Sequence, residues 1–329
     1  MSETIETAIK DEAIAVCEAS IRTHSKSFSL ASRLLPQPAR DEAVVLYAWC
    51  RRADDAVDEV PIGQAGAALS QLRTELASIY RGDEQADPVL AAFQAVVQRR
   101  KIPRHYPDEL LAGMAMDVDG YAYETEADLL LYCYRVASVV GLMMCHVMGL
   151  RHGQALLNAA HLGAAMQLTN ICRDVVEDWS RQRVYLPSSV LRGGAQPGES
   201  LPAPTGPFPA SLTDRFRGAV RDTLRRADGL YGSGDAGVIH LGARSALAIL
   251  AARHIYSDIG RIIERRQFDV TRGRAYTTKL RKLLLVMLAF GKLICSTPRR
   301  FYLRLAGQGR LSTPDHVLTF EKMVESERT

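Results

Sequence analysis

Apolar residues recur at intervals of three and four along most of the chain, which is the spacing that gathers them on one face of an α-helix. No series of segments alternates apolar and polar residues in the manner of half-buried strands. The periodic segments are rich in Ala, Leu, Met, Glu and Arg, which favour helix formation. The pattern predicts an all-α fold with helices near residues 8–24, 40–59, 65–81, 88–100, 107–122, 127–149, 153–178, 210–231, 241–267 and 277–295.

Prolines and glycines concentrate in the connections between these segments. Residues 193–209 contain five of the 14 prolines, and helical segments of similar character flank them on both sides. We therefore predict that 193–209 form a surface loop rather than a linker between domains. The 329 residues are interpreted as one helical domain, 1–329, whose polar tail at 308–329 is loosely held.

Charge is distributed unevenly along the chain, although the net charge is only +4. The segment from Arg261 to Arg310 has 13 basic and 2 acidic residues, a net charge of +11, so the remainder has a net charge of −7. Such a basic segment suits nucleic acid, an anionic membrane surface or a polyphosphate substrate. With 47% hydrophobic and 24% charged residues, the composition excludes a disordered chain.

The cysteines and the N-terminal residues indicate in which cellular compartment the protein is expected. None of the six cysteines forms a C-x-x-C pair, and the acidic N-terminal residues lack the basic start and long apolar core of a signal peptide. The apolar run Leu283 to Gly291 has nine residues, far fewer than the roughly 20 that cross a bilayer. We expect reduced cysteines and a cytoplasmic protein, with peripheral contact to the inner face of the cell membrane as one expectation.

Aspartates four residues apart share one face of a helix and repel each other unless a cation lies between them. The chain has three such pairs. Asp83 and Asp87 are flanked by Gly82 and Pro88, which places them in a turn and at a helix start. This first pair is interpreted as structural.

The second pair, Asp54 and Asp58, lies in the segment LYAWCRRADDAVDEV. Its apolar residues follow helical spacing, and Arg51 stands one turn before Asp54. Charges on so apolar a helix need a partner. The neighbouring Asp55 and Glu59 are interpreted as solvated.

The third pair completes a polar stripe on an otherwise apolar helix, formed by Gln167, Asn170, Asp174 and Asp178. A stripe of this kind is costly unless it faces a polar cavity, so a structural and a functional role remain equally open for this pair alone. Two such stripes together favour Mg²⁺, which binds one or two carboxylates together with substrate phosphates. The metal would neutralise a leaving diphosphate, and an apolar pocket would protect the resulting carbocation.

Five stretches of the sequence resemble the squalene/phytoene synthase family, and within it the bacterial phytoene synthases. A weaker match runs through residues 263–283. The matching stretches are HSKSFSLASRLLP at 24–36, LYAWCRRADDAVDE at 46–59, AMDVDGY at 115–121, LYCYRVASVVGLMM at 131–144 and QLTNICRDVVEDWSRQRVYLP at 167–187.

The resemblance implies an isoprenoid synthase fold, a helical bundle around a central cavity. It also implies a prenyltransferase that joins two geranylgeranyl diphosphates head to head (1-1′), through a cyclopropylcarbinyl diphosphate, to phytoene, the first step of carotenoid biosynthesis. The expected cofactor is Mg²⁺, with Mn²⁺ as the alternative, and no NADPH is expected. Two other functions stay open: a dehydrosqualene or squalene synthase that uses farnesyl diphosphate, and a non-catalytic helical scaffold.

The same resemblance implies roles for particular residues. Asp54 and Asp58 would form the first metal site, and Asn170, Asp174 and Asp178 the second. These four aspartates, with Arg51 and Tyr185, are the expected catalytic residues. The expected substrate-binding residues are Ser25, Ser27, Arg51, Tyr132, Gln167, Asn170, Arg173, Arg183 and Arg274. Tyr132 matches a cavity position, and the small-residue face of Val136, Ala137, Val140 and Gly141 fits either a cavity wall or ordinary helix packing.

Two remaining features have several interpretations. GSGDAG at residues 232–237 fits a dinucleotide-binding pattern, but a helical segment precedes it where that motif needs a strand, so we predict a turn between helices. The basic segment suits a solvated face, steering of diphosphates or binding to anionic membrane, and the resemblance gives no reason to expect nucleic acid. The oligomeric state is left open.

Overall fold

The computed structural model describes residues 2–150, 153–192 and 202–305, which contain helices and no β-strand. A π-helical turn, Tyr134–Ser138, joins α7 to α8, so these elements form one continuous helical stretch. The α-helices are α1 Ser2–His24, α2 Lys26–Ser32, α3 Ala39–Asp58, α4 Ile62–Arg81, α5 Pro88–Arg100, α6 His105–Val118, α7 Glu126–Cys133, α8 Val139–Val147, α9 Gly153–Ser180, α10 Ser188–Leu191, α11 Thr213–Gly237, α12 Ala243–Arg265 and α13 Lys279–Leu305. The predicted all-α class is confirmed.

The long helix α9 lies at the centre and packs against α7, α8, α11 and α12. One main cluster of buried apolar side chains extends from Cys17 in α1 to Ala289 in α13. On α3 most of the apolar positions expected from the sequence are buried, and the ring of Trp49 stacks on Phe93 of α5 with 4.3 Å between centroids. These contacts hold α3 and α9, the two helices that carry the aspartate stripes, in fixed positions.

The pair Asp83 and Asp87 has the structural role expected of it. Asp87 caps α5 by accepting hydrogen bonds from the backbone N–H groups of Val89 and Leu90, at 2.7 and 3.2 Å. Asp83 accepts a hydrogen bond from Arg81 at the end of α4. The spacing of four is therefore incidental here.

The interhelical turn predicted at GSGDAG is wrong, because residues 232–237 form the last turns of α11. Their glycines allow α11 to approach α9 closely. A Cβ at Gly237 would lie 2.5 Å from the Cβ of Asn158, and one at Gly234 would lie 3.0 Å from Leu162. The motif is a packing seam between helices and follows no strand.

Other predicted boundaries also differ from the structure. Helices α2 and α10 were not expected, and α13 continues past Pro298 to Leu305. Of the predicted loop 193–209 only residues 202–209 are described, and the predicted tail 308–329 lies outside the described residues. The stretch Glu126–Val147, rather than Leu283–Gly291, has the length and composition of a membrane span; 61% of its most apolar window is buried inside the protein, as in a core helix.

Gly163 of α9 is expected to tolerate no side chain without a shift of its neighbours. A Cβ there would lie 2.8 Å from the carbonyl oxygen of Ala137 and 2.7 Å from the Cα of Ser138, both in the π-helical turn. Because backbone cannot move aside as a side chain can, Gly163→Ala should lower the free energy of unfolding by about 1–3 kcal/mol. Urea denaturation would measure this change.

Gly66→Ala is the matched control for that substitution. Gly66 is exposed within α4, with no atom within 4 Å of a Cβ, so the alanine should raise the free energy of unfolding by up to about 1 kcal/mol. Equal stability of the two variants would contradict the close packing of α9 on the π-helical turn.

Candidate active site

The first aspartate pair lies in the last two turns of α3. Arg51 pairs with Asp54, at 3.0 Å, and also with Asp55. Asp55 is therefore partly buried and ion-paired, which corrects its interpretation as a solvated residue; Glu59 is exposed, as expected. The guanidinium of Arg51 thus neutralises part of a dense negative charge.

The second pair lies in the C-terminal half of α9. Asp174 accepts a hydrogen bond from Nε of its neighbour Arg173 at 2.8 Å. Nε of Arg274, from the connection between α12 and α13, lies 3.0 Å from the same carboxylate. The structure therefore brings Arg274 to the second aspartate pair, across 100 residues of sequence.

Arg183 joins the two pairs. Its guanidinium donates to the Asp58 carboxylate at 2.7 Å, and its backbone N–H donates to the carbonyl oxygen of Asp178 at 2.9 Å. Arg181 adds a longer contact of 3.6 Å to Asp58. The ends of α3 and α9 consequently meet in one polar centre, with carboxylates from both helices and cationic side chains between them.

Asp117 of α6 is a residue of this centre that sequence reasoning missed. Its two carboxylate oxygens accept hydrogen bonds from the hydroxyls of Tyr132 and Tyr185, at 2.8 and 3.0 Å. The two tyrosine rings stack with 4.7 Å between centroids. Burial raises the pKa of Asp117, and the charge of Arg183 with the two tyrosine hydrogen bonds partly opposes that rise. The sequence did contain one signal for Asp117, since an acidic side chain among the apolar residues of this helix needs a polar partner.

An apolar cavity of about 310 Å³ adjoins the polar centre. Val136, Ala137, Val140 and Gly141 all line it, so their interpretation as a cavity wall is confirmed. Tyr132 is not among the residues that line this cavity, and its hydroxyl donates to Asp117; its expected contact with substrate stays a prediction.

The cavity wall leads directly to the aspartates on both helices. Gln167 and Asn170 of α9 line the cavity two turns and one turn before Asp174, respectively. Tyr47 and Cys50 of α3 line it before Asp54. The wall here is also aromatic: the ring of Phe28 lies 5.3 Å from that of Tyr256 and 6.2 Å from that of Tyr47. A charged group held by the aspartates would therefore lie at the end of an apolar chamber.

Both predicted serines have partners within the protein. Ser25 caps α2 by accepting from the backbone N–H of Phe28 at 3.3 Å. Ser27 accepts from Nζ of Lys282 in α13, at 3.0 Å. Neither serine lines the cavity, and their contact with a diphosphate stays a prediction.

Two of the aspartates have strongly raised pKa values. Burial, followed by the charge of Asp58, raises the pKa of Asp54 to about 6. Burial, followed by the charges of Asp174 and Glu177, raises the pKa of Asp178 to about 7. Each pair therefore contains a carboxylate whose negative charge is unfavourable in the folded protein.

Asp178→Asn is expected to stabilise the protein above neutral pH in the presence of EDTA. The folded state keeps the Asp178 proton up to about pH 7, whereas the unfolded chain loses it near its ordinary value of 3.8. The wild type therefore loses stability as the pH rises through this window. After allowance for solvent screening, the variant should gain about 1–3 kcal/mol at about pH 8 and almost nothing at about pH 4. Urea denaturation at both values would measure this, and a less stable variant at the higher pH would contradict it.

The donor set suits a divalent cation. Carboxylate and amide oxygens are hard ligands, and Oδ1 of Asn170 is buried with no hydrogen-bond partner among the described residues. Within those residues, no three His, Cys, Asp or Glu side chains form a ready-made metal cluster. A cation held by one or two of these carboxylates would complete its shell with other oxygens, such as those of a substrate.

Solved structures share this fold. A dehydrosqualene synthase in complex with ligand superposes with a TM-score of 0.75 at 27% identity, covering 87% of this chain and 98% of that one. A squalene synthase from Alicyclobacillus acidocaldarius gives a TM-score of 0.69 at 24% identity, over 79% and 96%. The fold is that of the all-α isoprenoid synthases. The sequence profile of squalene/phytoene synthase matches residues 21–281, and the chain belongs to that family.

Curated relatives agree with the profile. A phytoene synthase of Cereibacter sphaeroides is 42% identical over 82% of this chain and 76% of its own length. One from Rhodobacter capsulatus is 43% identical over 82% and 79%. A 15-cis-phytoene synthase of Pantoea ananas is 38% identical over 84% and 90%.

Proposed function

We propose that this protein is a prenyltransferase that condenses two geranylgeranyl diphosphates to phytoene, with Mg²⁺ as cofactor and Mn²⁺ as a possible substitute. The observation that carries the proposal is the meeting of two aspartate pairs and their arginines at the end of an apolar cavity. The names of the curated bacterial relatives support the substrate and the product.

The cavity suits long prenyl chains. Along α9 it extends from Asn170 to Ala155, a separation of 15 residues, or about 22 Å at the rise of an α-helix. Its wall is formed mainly by apolar side chains and glycines, so an isoprenoid chain can extend inward while its diphosphate stays with the aspartates. Water that would capture a carbocation has few polar partners along this wall.

The polar residues bind and orient the diphosphates. Arg51, Arg173, Arg183 and Arg274 each present a planar cation that matches phosphate oxygens, and each now pairs with an aspartate of the centre. The metal, held by the aspartates and Asn170, would stabilise the negative charge of the departing diphosphate. With a metal held by these carboxylates, the four guanidinium groups would be available to the substrate.

The reaction requires two ionisations in the same chamber. The carbon–oxygen bond of one substrate breaks, its cation adds to the double bond of the second, and loss of a proton leaves a cyclopropylcarbinyl diphosphate. The second diphosphate then departs, the cation rearranges to the 1-1′ skeleton, and loss of a proton gives phytoene. The faces of Phe28, Tyr47 and Tyr256 offer electron-rich surfaces to the cations near the point of ionisation.

Product analysis with purified protein tests the proposal. Incubation with geranylgeranyl diphosphate and Mg²⁺ should yield phytoene and release diphosphate, without NADPH. A parallel incubation with farnesyl diphosphate is needed, because the similar solved structure at 27% identity is a dehydrosqualene synthase. If the protein converted farnesyl diphosphate but not geranylgeranyl diphosphate, the proposed substrate would be wrong. If neither substrate released diphosphate, the result would favour a non-catalytic helical scaffold.

A further inference from the structure

The outward side of α13 is apolar. Among the described residues, exposed large apolar side chains elsewhere are scattered, at Val16, Tyr121, Val176 and Val190, apart from Tyr276 just before α13. On α13 itself, seven such side chains gather on one side of the helix, with exposed fractions of 47–69%. We name this surface the outer face of α13; it consists of Leu280, Leu283, Leu284, Met287, Leu288, Phe290 and Ile294.

The opposite side of α13 is fixed to the protein. Leu285 and Ala289 are buried in contact with the body of the fold. Arg281 pairs at 2.6 Å with both oxygens of Asp258 in α12, a carboxylate that is wholly buried. Lys282 donates to Ser27 of α2. The helix therefore lies flat on α12 and cannot turn its outer face inward.

Basic residues border the outer face. Lys279 is exposed at its N-terminal end. Lys292 lies beside it, 46% exposed, with its Nζ 3.5 Å from Asp235 of α11. In the sequence the segment from Arg261 to Arg310 has a net charge of +11. An apolar strip with a cationic border is complementary to an anionic lipid bilayer. The bilayer has a hydrocarbon interior, which accepts apolar side chains, and negatively charged phosphates at its surface, which attract basic residues.

We propose that the outer face of α13 docks onto an anionic lipid bilayer, with the helix parallel to the membrane plane. The apolar side chains would enter the boundary between headgroups and acyl chains, while the basic border contacts lipid phosphates. A two-fold contact with a second copy fits less well, because it would bring two cationic borders together. One side of α12 supports α13 and another lines the cavity, so the proposed contact lies one helix away from the cavity.

Vesicle flotation of the full chain tests this proposal. The protein should float with vesicles of phosphatidylcholine and phosphatidylglycerol at low salt, and much less with phosphatidylcholine alone or at high salt. Leu284→Ser and Met287→Ser should each lower the partition coefficient about tenfold. Lys279→Gln should lower it about fivefold on anionic vesicles only.

Val16→Ser is the matched control, because Val16 is also exposed, at 48%, but lies on α1. It should float like the wild type, and all variants should keep their far-UV circular dichroism. Flotation of the two outer-face variants at the wild-type level would overturn the proposal, as would a wild type that does not float. The proposal would also be overturned if light scattering showed that the wild type is a dimer and the outer-face variants are monomers, because the outer face would then contact a second copy of the chain. These readouts do not depend on which prenyl diphosphate the protein uses.

Discussion

Asp54→Asn and Asp174→Asn should each reduce the release of diphosphate by about 10²–10³-fold. Each substitution removes one carboxylate from the centre that would hold the metal and the arginines. These positive groups would stabilise the diphosphate as it departs. The neutral amide keeps the shape of the side chain but cannot balance Arg51 in the first pair, or Arg173 and Arg274 in the second. Steady-state kinetics with geranylgeranyl diphosphate and saturating Mg²⁺ would measure the loss.

Asp83→Asn is the control for both substitutions, since Asp83 belongs to a pair with the same spacing but contacts only Arg81 and nearby polar groups at the surface. It should retain wild-type turnover. All three variants should keep their helical content, because Asp54 and Asp174 lie at the polar centre rather than in the apolar core. Near-normal activity of either catalytic variant would remove that residue from the metal-binding set.

Asp117→Asn should lower kcat/KM by about 10–100-fold while leaving the protein folded. The carboxylate accepts from both Tyr132 and Tyr185, whereas an asparagine offers one uncharged oxygen, so one hydroxyl loses its acceptor and the other keeps only a neutral one. Because burial raises the pKa of Asp117, the neutral side chain should not lower stability at neutral pH. Loss of activity without loss of stability would separate a positioning role from a purely structural one.

Two variants sharpen that experiment. Asp119→Asn changes the exposed neighbour of Asp117 in the same motif and should have no effect. Tyr185→Phe removes one of the two donors and should cause a smaller decrease than Asp117→Asn. If Asp117→Asn were as active as Asp119→Asn, the hydrogen-bonded cluster would have no part in turnover.

Local spacing predicted the helices and the two aspartate stripes because these features repeat within a few turns. Buried positions of α3 and α9 need apolar residues every three or four positions, and an aspartate that interrupts them stands out. The small-residue face of Val136, Ala137, Val140 and Gly141 was recognised from the sequence but left open between a cavity wall and helix packing, and the structure shows that it lines the cavity.

Other features depend on distant parts of the chain. The pairing of Arg274 with Asp174, and of Arg183 with Asp58, joins positions 100 and 125 residues apart, and no local pattern encodes either contact. Asp117 has no aspartate partner four residues away, so its role depends on two tyrosines from other elements. The glycines at 232–237 were misinterpreted because their purpose, close contact with α9, exists only in the packed structure.

The buried pair of Asp258 and Arg281 imposes an order on biosynthesis. The two residues are 23 positions apart, so at about 5–20 residues per second the ribosome needs about 1–5 s to add Arg281 after Asp258. Until then the Asp258 carboxylate lacks the cationic partner that it has in the folded protein, and its burial would be costly. Because α12 also forms part of the cavity wall, we expect the cavity to close only after the first turn of α13 has been synthesised.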